Sequence, residues 1–346
     1  MAGRGVFRVI WQAYVDTAVC SVISGCTSSN QFEKIAESTL NRFAYLHRIL
    51  AAFGAAVGEE IVKNFNGPNA YRDKMAAYEN AEISTAEFAQ FQRLIYKIAG
   101  ISLADSKKVL LAGRLGKRLR HLNLATFGEY YRMVSGGSED AELQTMVDLL
   151  TTNETYFFRE EAHFDFLRDV ILANHPASSP FNVWSAASST GEEIYTLAFV
   201  LADTLGLDAP WQVTGSDIST AVLATAQRGL YWLDRTRGLP QPYLKKYCLK
   251  GVRSQEGSFM VAPEVKRHTR FLQVNLNQPL PVLSRFDVIF LRNVMIYFDA
   301  ETKRQVVGRL VEQLVPGGYF IVGHSESLNG LNDRLKPVKP TIYRLP

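Results

Sequence analysis

From Ser84 onward the apolar positions follow two rhythms. Phe88, Phe91, Leu94, Ile95 and Ile98 recur at three- and four-residue intervals, which puts them on one face of a helix. Ser84-Thr85-Ala86-Glu87 in front of them is a capping box: the serine hydroxyl takes an amide of the first turn and Glu87 reaches back to the cap. Gly100 closes the segment. A second helix is predicted from about Asp105 to Leu122, with Leu111, Leu115, Leu119 and Leu122 as its stripe. Residues 84–150 therefore read as a small helical domain. From Phe181 short apolar runs alternate with helical stretches. Strands are expected at 182–186, 212–216, 270–274, 287–291 and 319–322, with 341–345 as an edge strand. Helices are expected at 192–205, 219–228 and 300–314. Apolar runs separated by helices predict an α/β fold: a doubly wound, mostly parallel sheet covered on both faces. One stretch, about 239–270, breaks the rhythm with Pro240, Pro242, Gly251 and Gly257, and reads as a small antiparallel β insert. The α/β domain is placed at 151–346.

Residues 1–83 carry no readable motif and form an N-terminal extension of unassigned role. Arg4 and Arg8 precede an apolar stretch ending in Ile23-Ser24-Gly25-Cys26, which resembles a lipoprotein cleavage site, but Gln12, Asp16 and Thr17 break the apolar region such a signal needs. Met75 offers an alternative start. Three cysteines (Cys20, Cys26, Cys248) cannot make a disulfide framework for 346 residues, and no apolar run is long enough to span a bilayer. With 47% hydrophobic and 21% charged residues and a net charge of +4, the chain reads as a cytoplasmic globular protein whose overall charge does not by itself imply nucleic acid.

An open parallel sheet binds its ligand at the carboxyl ends of its strands, where strand order reverses. Three segments should meet there. Val183 to Glu193 runs from a strand through the small residues Ala186, Ala187, Ser188 and Ser189 into a helix, so backbone can approach a ligand closely. Asp217 ends the second strand, where an acidic residue commonly accepts both ribose hydroxyls of an adenosyl group, while Ser219 can cap the following helix. Phe286 to Asp299 places Arg292, Asn293 and Tyr297 after a buried strand. The first segment lacks G-x-G-x-x-G, which favours an adenosyl compound without phosphates over a dinucleotide. Ahead of the sheet, Thr151 to Glu160 packs Asn153, Thr155 and Arg159 beside Phe157 and Phe158; on its own it would be an ordinary helix start.

These blocks, with Gly317 to Leu328, resemble in order and spacing the signature blocks of the chemotaxis receptor methyltransferases, the CheR family. The resemblance runs from about Ser84 to the C-terminus. It implies a class I S-adenosylmethionine methyltransferase fold and transfer of a methyl group from S-adenosylmethionine to receptor glutamates, giving methyl esters for sensory adaptation and S-adenosylhomocysteine as product. Carried over by position, the implied cofactor contacts are Asn153, Thr155, Arg159, Ala186, Glu192, Asp217, Asn275, Leu276, Arg292 and Asn293. Arg159 and Tyr297 are the implied catalytic residues, bordering the methyl, and no metal is implied. The sequence departs from the family at Tyr156, usually small; Ser188, often Cys or Ala; Ile194, often Pro; and Leu291, often Cys.

The implied partner is a methyl-accepting chemotaxis receptor, through which alone the protein would meet a membrane. Six Lys or Arg and no acid lie between Ser106 and Gly128. Lys107, Arg114, Lys117, Arg118 and His121 share one flank of the second helix, a surface suited to acidic receptor helices. In some family members the β insert adds a receptor tail to its edge. Two other classes compete. A nucleic-acid methyltransferase would need basic residues interleaved with aromatics around the site, which are missing. A non-catalytic binder would not need the Arg159, Asp217, Arg292 and Tyr297 set.

Overall fold

The computed structural model describes residues 82–346, apart from Ser138, Ala177 and Arg237. The lipoprotein-like stretch and the alternative start at Met75 lie outside the described residues.

Four helices come first: α1 (Thr85–Ala99), α2 (Lys108–Leu122), α3 (Phe127–Ser135) and α4 (Asp140–Leu150). Both halves of the Ser84/Glu87 capping box form, and Thr126 and Glu129 repeat the device at α3. Gly100 ends α1 at φ +71°, where a side chain would strike Thr302. Phe88, Phe91 and Ile95 from α1 meet Leu111, Leu115 and Leu119 from α2 in one core, completed by Tyr130 and Met146. One buried acid sits at its margin: Glu142 accepts from Tyr130 Oη at 2.8 Å and from Arg118 Nε at 2.8 Å. Burial works to raise the Glu142 pKa, but Arg118 and Tyr130 outweigh it and hold the carboxyl below its ordinary value.

A short helix, α5 (Ala162–Phe166), leads to the sheet. Its strands are β1 (Phe181–Ser185), β2 (Trp211–Asp217), β6 (Thr269–Gln273), β7 (Phe286–Leu291), β8 (Leu314–Val322), β9 (Lys336–Lys339) and β10 (Ile342–Arg344), in the order β6-β2-β1-β7-β8-β10-β9. The first five pair in parallel; β10 is antiparallel to both neighbours. The chain winds outward from β1 through β2 to β6, then returns to β7 on the other side, so order reverses between β1 and β7. Alternate residues feed opposite faces. Val183, Val213, Val288, Phe290 and Ile321 pack with α6 (Glu192–Leu205), while Trp184, Ile289, Leu291, Phe320 and Val322 pack with α8 (Ala300–Val311). Because both faces are buried, these strands read as unbroken apolar runs.

The sequence departs from this picture at two places. Ile342–Arg344 is an inner strand, and the edge belongs to Lys336–Lys339, whose four residues are all exposed. Such a strand pairs through its backbone alone and leaves no apolar pattern to read. The antiparallel insert also starts earlier than residue 239: β3 (Leu230–Trp232), directly after α7 (Thr220–Arg228), joins β4 (Cys248–Lys250) and β5 (Ser258–Val261) in the order β3-β5-β4.

The Ile194 departure has a packing reason. A Cβ on Gly215 would lie 1.8 Å from Ile194 Cδ1, so the helix residue fills the space over β2 that a glycine leaves. Ser188 gains nothing visible from its hydroxyl, which is buried without a partner. Ser188→Ala is expected to raise Tm by a few degrees, since an unsatisfied buried hydroxyl costs on the order of 1 kcal/mol or more. A thermal melt of the variant checks this; a lower Tm would mean the hydroxyl has a partner. No helix among the described residues is long and apolar enough to cross a membrane.

Candidate active site

At the carboxyl ends of β1, β2 and β7 a cavity of about 450 Å³ opens between the sheet and the helical domain. Its size falls in the range of small-molecule sites. Ala186, Ala187 and Ser189 after β1, Asp217 and Ile218 after β2, Val274 to Leu276 after β6 and Arg292 to Val294 after β7 form the sheet side. Asn153, Thr155, Tyr156, Arg159 and Tyr297 line it as well, together with Ile101 to Ala104, Lys107, Leu110 and Arg114 from the helical side.

Asp217 is 8% exposed. One carboxylate oxygen accepts the Ser189 amide at 2.9 Å and the other the Ser219 amide at 2.9 Å. Ser219 caps α7 with its own hydroxyl, as its position suggests. Burial raises the Asp217 pKa above the ordinary value, while those amides pull it back. The loop carrying Ser189 is fixed on its other side, because the Ser189 hydroxyl donates to the Asn153 carbonyl at 2.8 Å. Ser189 itself sits at φ +49°.

The 151–160 segment is not a helix start: the next helix after Leu150 begins only at Ala162. Phe158 and Glu160, at φ +55° and +60°, flank Arg159 in the left-handed region. Non-glycine residues held there cost on the order of 1–3 kcal/mol each. The turn is held by burial of Phe157 and Phe158 and by the Phe158 amide donating to Thr196 Oγ1 at 3.1 Å. It also sends neighbouring side chains apart. Arg159 stays partly exposed, with Nη1 on the Glu154 carbonyl at 2.8 Å and its guanidinium 5.7 Å from the Tyr156 ring centre. Tyr156, the bulky departure, thus lines the cavity and backs Arg159.

Glu160 turns inward to Arg292, which is 6% exposed. The Arg292 guanidinium bonds Glu193 at 2.8 Å, Glu160 at 3.0 Å and the Arg159 carbonyl, and stands over the Phe164 ring. Burial works to raise the Glu160 pKa; Arg292, the Asn293 side-chain amide and the His324 amide outweigh it, leaving the carboxyl below its ordinary value. Asn293, at φ +57°, is pinned by Glu326, whose carboxylate accepts the amides of Gly323, Asn293 and Met295, each at 2.8 Å. Burial pushes the Glu326 pKa up despite these three bonds. Glu326 gives the Gly317-to-Leu328 block a role: it shapes the turn that presents Arg292 and Asn293.

Of the sequence-derived set, Asn153, Thr155, Arg159, Ala186, Asp217, Asn275, Leu276, Arg292, Asn293 and Tyr297 line this one cavity. Glu192 does not. Its carboxylate accepts from Thr190 Oγ1 at 2.6 Å, and Glu193, one step further round α6, lines the wall and bonds Arg292 and Ser185. The Asn275 side chain is committed elsewhere: it donates to the Ile98 carbonyl at 2.7 Å and accepts the Asn277 amide. Asn275 can therefore serve a ligand through its backbone. Glu193, Glu160 and Glu326 were missed. Their neighbours in the motifs were visible, but which acid of a run turns inward depends on local backbone twist.

The fit to an adenosyl amino acid rests on this geometry. Small residues after β1 bring backbone to the wall, a buried carboxylate closes one end, and Arg159 and Tyr297 line the same space. Fold and site together define a methyltransferase of the S-adenosylmethionine-dependent class. A profile of the CheR methyltransferase SAM binding domain matches residues 153–344, and one of the CheR methyltransferase all-alpha domain matches residues 86–151. The chain belongs to the CheR methyltransferase family. It is 40% identical over 259 residues to chemotaxis protein methyltransferase 2 of Pseudomonas aeruginosa, spanning 74% of this chain and 92% of that protein. The chemotaxis protein methyltransferases of Escherichia coli and Salmonella typhimurium are each 41% identical, over 270 and 266 residues, covering 77% and 76% of this chain and 93% and 91% of theirs.

Proposed function

We propose that this protein works in the cytoplasm and esterifies glutamate side chains of chemotaxis receptors, with Asp217, Ser189 and the backbone at Asn275 and Leu276 holding the adenosyl end of the cofactor. The observation that carries this reading is the single cavity that has buried Asp217 on its wall and partly exposed Arg159 and Tyr297 on the same lining. S-adenosylmethionine supplies an electrophilic methyl on a sulfonium. A glutamate with an ordinary pKa near about 4.3 is already ionised at neutral pH, so no general base is required. The protein's share is to exclude water and align the carboxylate, which in favourable cases is worth effective molarities of roughly 10⁵–10⁸ M. Arg159 suits this role because the Glu154 carbonyl and the Tyr156 ring already occupy part of its guanidinium. It can orient a carboxylate without pairing so firmly that the nucleophile is quenched.

Tyr297→Phe and Arg159→Ala are each expected to lower turnover roughly a hundredfold, the scale of a misplacement of about 1 Å. Transfer of radiolabelled methyl to receptor-containing membranes, followed by base-labile release, measures it. Wild-type turnover in both variants would remove these two residues from the reaction.

Receptor docking through α2 needs a revised list of cations. Arg114 Nη1 donates to the carbonyls of Leu149, Leu150 and Thr151, closing the end of α4, and Arg118 is paired with Glu142. Lys107, Lys117, Arg120 and His121 are exposed. Lys117 and His121 line a shallow groove between α2 and α4, together with Val109 and Gly113. Lys117→Glu is expected to raise KM for receptor several-fold and flatten its salt dependence with Tm unchanged, whereas Arg114→Glu lowers Tm. Kinetics at two ionic strengths beside a melt distinguish them; an unchanged KM for Lys117→Glu would free α2 of this role. The strand β4 lies at an edge of the insert and offers backbone groups to an extended receptor tail.

A further inference from the structure

Beside Arg292, three side chains converge that the transfer reaction does not use as a set. Glu160, His163 and His324 each direct one ligand atom into a common space, and these atoms lie within 4.8 Å of one another. His163 is 2% exposed, and His324 is exposed, so the cluster reaches the surface on one side.

The tautomer of His163 follows from its neighbours. Its Nε2 lies 2.8 Å from Thr341 Oγ1, and the Thr341 hydroxyl donates its only proton to the Pro340 carbonyl at 2.6 Å. The hydroxyl must therefore accept from His163, which puts the ring proton on Nε2 and leaves Nδ1 bare. That nitrogen is buried and has no hydrogen-bond partner. It faces a Glu160 oxygen at 3.5 Å, lone pair towards lone pair. What this arrangement wants between the two atoms is a cation.

We propose that Glu160, His163 and His324 form a binding site for a divalent transition-metal ion of the zinc type. Two imidazole nitrogens and one carboxylate oxygen are a donor set suited to zinc, cobalt, nickel or copper rather than to magnesium or calcium. The Nε2–H bond to Thr341 is the kind of outer contact that fixes a metal-ligating histidine. Charge favours the ion too: Glu160 and Glu193 share the single guanidinium of Arg292, leaving the cluster one negative charge in excess. Exposed His324 gives an entry path and leaves open positions for water. Because Glu160 also holds Arg292 and Asn293, the ion would sit against the wall of the cofactor cavity.

The test uses the full chain and the metals alone. Zn²⁺ is titrated in competition with a chromogenic indicator, and Co²⁺ binding is followed by its visible ligand-field absorption, for wild type, His324→Ala and His163→Gln. The expected result is one equivalent bound by wild type, weakened at least tenfold in His324→Ala, with the cobalt band lost in both variants. His324→Ala changes an exposed side chain, so its folding is not at issue. Wild-type affinity in that variant, or no ligand-field band in wild type, overturns the site.

Discussion

Arg292→Ala is expected to lower Tm by roughly 10 °C and to abolish measurable cofactor binding. The side chain is 2% exposed and is the shared partner of Glu160 and Glu193. Its removal leaves two carboxylates and the Arg159 carbonyl facing each other with no cation between them. Breaking one partner out of a buried ion pair costs about 3–5 kcal/mol, and each kcal/mol shifts a protein of this size by about 2–4 °C. Arg292→Lys should recover part of the stability and little of the binding, because an ammonium cannot span three acceptors in a fixed plane. The acid limb of stability should change as well. Glu160 has its pKa lowered in the folded state, so its contribution is complete above the ordinary carboxylate pKa and is lost as pH falls through the lowered value. Without Arg292 that loss begins at higher pH. Thermal melts across pH 3–7 (approximately the carboxylate range) and a calorimetric cofactor titration measure both effects. A variant melting within a couple of degrees of wild type would show that the two acids do not depend on this guanidinium.

Asp217→Asn is expected to weaken S-adenosylmethionine binding by roughly 10- to 100-fold, the worth of charge-assisted hydrogen bonds of about 1.5–3 kcal/mol. The Ser189 and Ser219 amides approach opposite oxygens of this carboxylate. An asparagine can accept only one of them and turns an NH₂ towards the other. The loop after β1 then moves, and the lone pairs left for the ribose hydroxyls are halved. Since burial raises the Asp217 pKa, wild-type affinity should fall with decreasing pH through a value above the ordinary one for an aspartate, and the variant should lack that limb. Isothermal titration at several pH values decides it. Equal affinity in the two proteins would place the ribose elsewhere.

Much of this was legible because it rests on short-range rules. The capping boxes, the Ser219 cap and the apolar runs of β1, β2 and β7 follow from local spacing, and the cavity sits where strand order reverses. What escaped depends on tertiary detail. Glu192 and Glu193 are both acids in the first turn of α6, and only the phase of that helix against β7 decides which meets Arg292. Arg114 and Arg118 share a flank with Lys117 on a helical wheel, yet two of the three are spent on α4, a partner the wheel does not contain. Lys336–Lys339 carries no apolar alternation because only its backbone is recruited. Tyr156 drew notice for its bulk, but its pairing with Arg159 needed the left-handed residues at Phe158 and Glu160, which no propensity favours.

The helical domain meets the pocket at several points. Asn275 bonds the end of α1, the Ser102 amide donates to the Tyr297 carbonyl at 2.8 Å, and Gln144 of α4 donates to the Ile218 carbonyl at 3.0 Å. Asp148 holds the first residue of α7 by both its amide and its hydroxyl. A fragment starting near residue 152 would keep every strand and still be missing half its vessel, with three ligand loops unmoored. Heating should accordingly dissolve both cores in one cooperative step.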